Sequence, residues 1–232
     1  MTWLTPISSF TTLDFVAVAI LLASWLGLTI LIENSPRNRR SVSYLMAEHR
    51  INWMRQMVTR DPRIFDSQTL SSMRQGTAFF TSATMIGIGG GLALMANPEQ
   101  LAGVVSELSQ QEAPIFVWDI KVLLILLLLT NAFLKFVWSH RLFGYCHVLM
   151  GAVPNDPNHP DALPLALKAG QVNVFAGRAY NRGLRSIYFA LASCAWLLGP
   201  EALIVTTILT LFVMLRREFA SQSRAVLLKD DL

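Results

Sequence analysis

Four side chains in this 232-residue chain could together hold a transition metal: His140, Cys146, His147 and His159. His140 and His147 stand two turns apart on one helical face. Structural zinc needs four ligands held rigidly, yet His159 falls in Pro154 to Pro164, whose four prolines forbid a continuous helix. No C-x-x-C or H-E-x-x-H pairing accompanies them, and no G-x-S-x-G elbow supports Ser-His-Asp chemistry. The glycines of Met85-Ile-Gly-Ile-Gly-Gly-Gly-Leu92 follow no strand and lack dinucleotide-binding spacing. The reading is therefore of a protein without catalytic residues, metal or cofactor.

Two other groupings invite function. Thr130, Asn131 and Lys135 stand in a leucine-dominated run, where lipid cannot satisfy polar groups and they must face protein or water. They form either a polar pathway, with Asn131 and Lys135 as its candidates, or one interhelical hydrogen bond plus a lysine snorkelling to the surface. Ala83, Gly87 and Gly91 make a small-residue ridge that allows close helix packing, within the chain or across a homodimer seam. Asp14 and Glu201 lie near predicted helix N-termini, which favour acidic charge.

The elements that must position these residues are membrane spans. The chain is 53% hydrophobic and 15% charged, with a mean hydropathy of +0.45, values that fit a polytopic membrane protein. A hydrocarbon core of about 30 Å needs about 20 apolar residues. Segments 13–32, 77–96 and 120–138 meet that need. The run from Leu184 to Leu215 would make a helix of about 48 Å, too long for one crossing. It breaks at Leu198-Gly199-Pro200-Glu201, where Gly199 suits a helix end and Pro200 a helix start, and so divides into spans 184–198 and 200–215. The expected architecture is an all-α helix bundle of one integral-membrane domain with five spans, or four if the last helix is only bent. Cytoplasmic loops 33–76 and 139–183 complete it. The fourth span is short and needs Arg182 and Arg185 to snorkel.

Orientation follows from charge. Eight arginines lie between Arg37 and Arg74, whereas Asn97 to Asp119 holds acids and no Lys or Arg. The positive-inside rule puts the first loop in the cytoplasm, the N-terminus outside and the C-terminus, with Arg216, Arg217 and Arg224, inside. No basic residue precedes Arg37, so the first span is not read as a cleaved signal.

Within loop 33–76, Val42, Leu45, Met46, His49, Trp53 and Met57 recur every three or four residues. That spacing predicts an amphipathic helix over about 41–59, with Glu48, Asn52 and Arg55 opposite. Arg50, Trp53, Met57 and Arg60 are its interfacial candidates, facing anionic lipid or the cytoplasmic helix ends. A pI near 9.4 raises nucleic acid as a partner. The positive-inside bias accounts for that basicity, and between Met46 and Asp66 four arginines face three acids, so none is expected.

Three stretches together are similar to a known family: Arg50-x-x-Trp53-Met54-x-x-Met57 with Arg60, Arg63, Ile64 and Asp66; Arg141 to Ala152; and Asn181 to Leu191 leading to Trp196-Leu-Leu-Gly-Pro200. They resemble the integral-membrane family catalogued as domain of unknown function 599, over nearly the whole chain. The resemblance implies a multi-pass protein of a bacterial inner membrane and transfers no activity. Two functions follow as expectations: a scaffold or accessory subunit of a membrane complex, or a transporter of a small solute or ion through the polar residues of span three.

Overall fold

The computed structural model describes residues 9–36, 39–97, 103 and 114–229, and all regular structure among them is helical. The order is α1 (Thr12–Glu33), α2 (Val42–Met57), α3 (Ile64–Ala96), α4 (Ile115–Gly151), α5 (Ala162–Cys194), a 3-10 turn (Ala195–Leu198), α6 (Pro200–Phe219) and α7 (Gln222–Leu227). Helices α1, α3 and α4 are long and apolar enough to cross a membrane. Arg37, Glu99, Glu107 and Glu112, used for the charge argument, lie outside the described residues.

Local chemistry explains the boundaries. Thr11 and Asp14 cap α1 reciprocally: the Thr11 N–H donates to Asp14 at 2.9 Å and the Asp14 N–H to the Thr11 hydroxyl at 3.3 Å. Ser41 caps α2 by accepting the Tyr44 N–H at 3.1 Å, while its own hydroxyl donates to the Ile32 carbonyl at 2.9 Å. One buried serine thus ties the start of α2 to the last turn of α1.

The helices run well past the expected apolar spans. α3 begins before residue 77, α4 continues beyond 138, and α5 begins at Ala162. Loops 33–76 and 139–183 are consequently helical over much of their length. Hydropathy locates the part of a helix that lipid can surround, but Arg, Gln, Met and Ala continue a helix readily beyond it. At 1.5 Å per residue, α3, α4 and α5 are each about 50 Å or more in length, against a hydrocarbon core of about 30 Å. Segment 184–198 comprises the end of α5 and the 3-10 turn; nearby, Arg182 forms a two-bond pair with Glu33, and Arg185 is 2% exposed.

The chain divides into two compact units, and the long helices contribute to both. One comprises the described parts of Met1–Leu31, Thr84–Ala132 and Leu184–Arg217; its core includes Trp118, Val122 and Leu126, packed by Ile88, Met95 and Leu197. In the same unit the backbone turns at Gly199, with φ of 138° and its N–H on the Trp196 carbonyl at 3.1 Å. The Thr206 hydroxyl then reaches back to the Ala192 carbonyl at 3.0 Å, so α5 and α6 form an antiparallel hairpin.

The other unit comprises Ile32–Ala83, Phe133–Gly183 and the described part of Glu218–Leu232. Met54, Met57, Leu70, Phe143 and Met150 fill its core against Ala162, Ala166, Ala169 and Ala176 of α5. These alanines recur every three to seven residues along one face of α5, and Gly170, Gly177 and Gly183 continue the small surface. A Cβ at Gly170 would meet Ile51 at 3.0 Å, and one at Gly183 would meet the Phe136 ring at 2.7 Å.

Gly199→Ala should lower stability by about 1–3 kcal/mol, because this φ is accessible to glycine and strained for other residues. Denaturation of detergent-solubilised protein measures the loss, and an unchanged midpoint would mean the turn relaxes freely.

Candidate functional site

The first polar centre is built around α2. Met46 and His49, on the apolar side by spacing, are exposed, whereas Arg50 and Met54 turn inward. The buried edge runs through Leu45, Met54 and Met57, with Trp53 half-buried. Apolar spacing leaves Arg50 at the margin of the apolar face. Here its guanidinium has a polar receptor on α5 and a glycine to lie against.

That receptor is Asn173, fully buried, whose carboxamide oxygen accepts from Arg50 Nη1. The same nitrogen approaches the Met73 sulfur at 3.6 Å. Asn173 turns its NH2 toward Cys146 Sγ at 3.7 Å, and the thiol donates to the Ala169 carbonyl at 3.3 Å. Burial depresses the Arg50 pKa from its ordinary value, and burial pushes the Cys146 thiol up to about 11. The site lies beyond the apolar stretch 120–138.

A second centre closes the loop between α2 and α3. Asp66, with no exposure, accepts the Trp53 indole N–H at 2.6 Å and a bond from Arg60, whose side chain is 40% exposed. Arg63 donates to the Val153 and Pro154 carbonyls at 2.7 Å and to the Val58 carbonyl at 3.3 Å. Trp53, Arg60, Arg63 and Asp66 therefore lock a chain turn to the end of α4. Met57 packs in the adjacent core. Lys135, in the same unit, is half-buried.

In the other unit, Asn131 donates to the Ser186 hydroxyl at 2.8 Å, and the Trp25 indole donates to the same oxygen at 3.2 Å. Asp14 is both a helix-terminal charge and a buried carboxylate: it is 8% exposed and takes the Trp196 indole N–H at 2.7 Å. Lys121, 4% exposed, sets its ammonium 4.5 Å from the Trp118 ring centre and 5.9 Å from that of Trp196. An apolar cavity of about 410 Å³ lies beside them, lined by Asp14, Phe15, Leu22, Ile120 and Trp196. Sequence reasoning passed over Lys121; its signal was a lysine inside a span with tryptophans three residues before it and far downstream.

The ridge residues separate. A Cβ at Gly87 would lie 3.3 Å from Leu129, and one at Gly91 2.5 Å from Leu126, so both glycines face α4. Ala83 is exposed, and a Cβ at Gly90 would meet nothing within 4 Å. The four metal-ligand candidates have separate partners: His140 meets Thr77 at 3.1 Å, His147 meets Ser67 at 3.0 Å, His159 accepts the Asp161 N–H at 3.2 Å, and Cys146 bonds Ala169.

The model of one protein family, described as a protein of unknown function, DUF599, matches residues 16–223, and the chain belongs to that family. No curated protein and no solved structure matches it.

Asp66→Ala should cost about 2–3 kcal/mol, since it strands a half-buried indole N–H and removes a charge-assisted bond. Trp53→Phe should cost about half of that, and equal stability of both variants with the parent would contradict the locking role. The Cys146 thiol should resist maleimide at about pH 8 until the protein unfolds. Because burial raises its pKa, its contribution to stability should fall as pH rises from 9.0 toward about 11.

Proposed function

We propose that this member of the DUF599 family is a multi-pass protein of a bacterial inner membrane that serves as a scaffold or accessory subunit of a membrane complex. Five crossings with an outside N-terminus and a cytoplasmic C-terminus agree with the arginines at 39–74, 178–185 and 216–224. Asn131, a candidate for the second expected function, transport, donates its NH2 to the Ser186 hydroxyl, a bond that favours the packing reading.

The observation that carries the reading is the coverage of α3. Of its most apolar stretch 6% is buried, against 22% for α1 and 33% for α4. Its uncovered surface includes Ala83, Gly90 and Ala93 beside Ile86, small residues spaced to admit a second helix. Membrane helices associate mainly through close packing, which such a surface allows. A partner subunit or a second copy of the chain would cover it.

Native extraction in mild detergent tests this. Wild type should migrate as a complex, and Gly90→Leu should release a smaller species without lowering thermal stability. Gly91→Leu should instead destabilise the chain through Leu126. A wild-type preparation that is wholly monomeric, with nothing bound, would sink the proposal.

A further inference from the structure

A cavity of about 260 Å³ opens between α2 and α5, lined by Ser43, Arg50, Gly177, Arg178, Asn181 and Glu218 among others. Arg50 is the residue that gives it chemistry. Its Nη1 is engaged by Asn173 and Met73, but its Nε and Nη2 have no acceptor among the described residues, and no carboxylate there pairs with it. The guanidinium is pinned against the backbone of α5. A Cβ at Gly177 would meet Cζ at 3.0 Å, Nε at 3.1 Å and Nη2 at 3.2 Å.

A half-buried guanidinium with a free two-donor edge is costly to hold without an anion. That edge, Nε with Nη2, matches two oxygens of a phosphate in parallel hydrogen bonds. Arg178 adds a second, exposed guanidinium and Asn181 a carboxamide. Glu218 is the one carboxylate lining the cavity, and it is already engaged: the Ser43 N–H and hydroxyl donate to its two oxygens at 3.0 and 2.9 Å.

We infer that this cavity is a binding site for a phosphate oxyanion, carried by a lipid headgroup or by a phosphorylated solute, with Arg50 as its fixed fork and Arg178 as its outer clamp. The inference stands apart from the scaffold reading, since α3 contributes nothing to the cavity lining.

The test uses the full chain and follows unfolding by tryptophan fluorescence. One arm titrates inorganic phosphate against chloride at matched ionic strength in neutral detergent. The other compares nanodiscs of phosphatidylcholine with nanodiscs that also contain phosphatidylglycerol. Stabilisation by inorganic phosphate points to a soluble phosphate compound, and stabilisation by phosphatidylglycerol alone to a lipid headgroup; either supports the site. Arg178→Gln, at an exposed position where folding is undisturbed, should weaken the response about tenfold, the value of one charge-assisted contact. Arg50→Lys, which keeps the charge and loses the fork, should weaken it at least as much, whereas Glu218→Gln should strengthen it severalfold. No stabilisation in either arm would overturn the inference, and so would a response that Arg178→Gln and Glu218→Gln leave unchanged.

Discussion

A helix whose buried face carries mostly alanine and glycine can be approached by neighbours at backbone distance, and α5 imposes that geometry on its unit. Ala162, Ala166, Ala169 and Ala176 are fully buried there. Because these side chains are short, the carbonyls of α5 become reachable: Ala169 takes the Cys146 thiol and Ala176 takes the Ser139 hydroxyl at 2.8 Å. The same closeness lets Arg50 of α2 reach Asn173. Larger residues on this face would separate the helices and leave those polar groups without partners.

Polar side chains in both units make side-chain pairs across helices. Several of the buried or half-buried ones are paired with another side chain or with the end of a helix: Asn131 and Trp25 on Ser186, Trp196 on Asp14, Trp53 and Arg60 on Asp66. Such pairs contribute modest net stability each, but leaving one member unmatched is costly. They fix the rotation of each helix more than they add to total stability. The exposed surface of α3 is different, made of small and apolar residues such as Ala83, Ile86, Gly90 and Ala93.

Much of the helical plan was readable from the sequence because apolar length and the Gly199-Pro200 break are local signals. The start of α2 was also readable, from Ser41 and the spacing that follows it. The rotation of α2 was not. Counting apolar residues put Met46 and His49 on the apolar side and left Arg50 at its margin, because the decisive partner, Asn173, is distant in sequence and the space for the guanidinium is made by Gly177. The alanine seam of α5 is visible as small residues at helical spacing, but the glycines of α3 make the stronger local signal. The Asp14, Trp196 and Lys121 grouping joins residues from α1, the 3-10 turn and α4, and no spacing rule connects them.

The central claim is that Asn131 is matched to Ser186 in a helix contact. It is tested most directly by placing a thiol at Asn131 and exposing intact membranes and permeabilised cells to a membrane-impermeant maleimide, with labelling assigned by peptide mass. Asn131→Cys is expected to stay unlabelled from either side while the protein is folded. Rapid labelling from either side would reveal a hydrated path at Asn131 and contradict the claim.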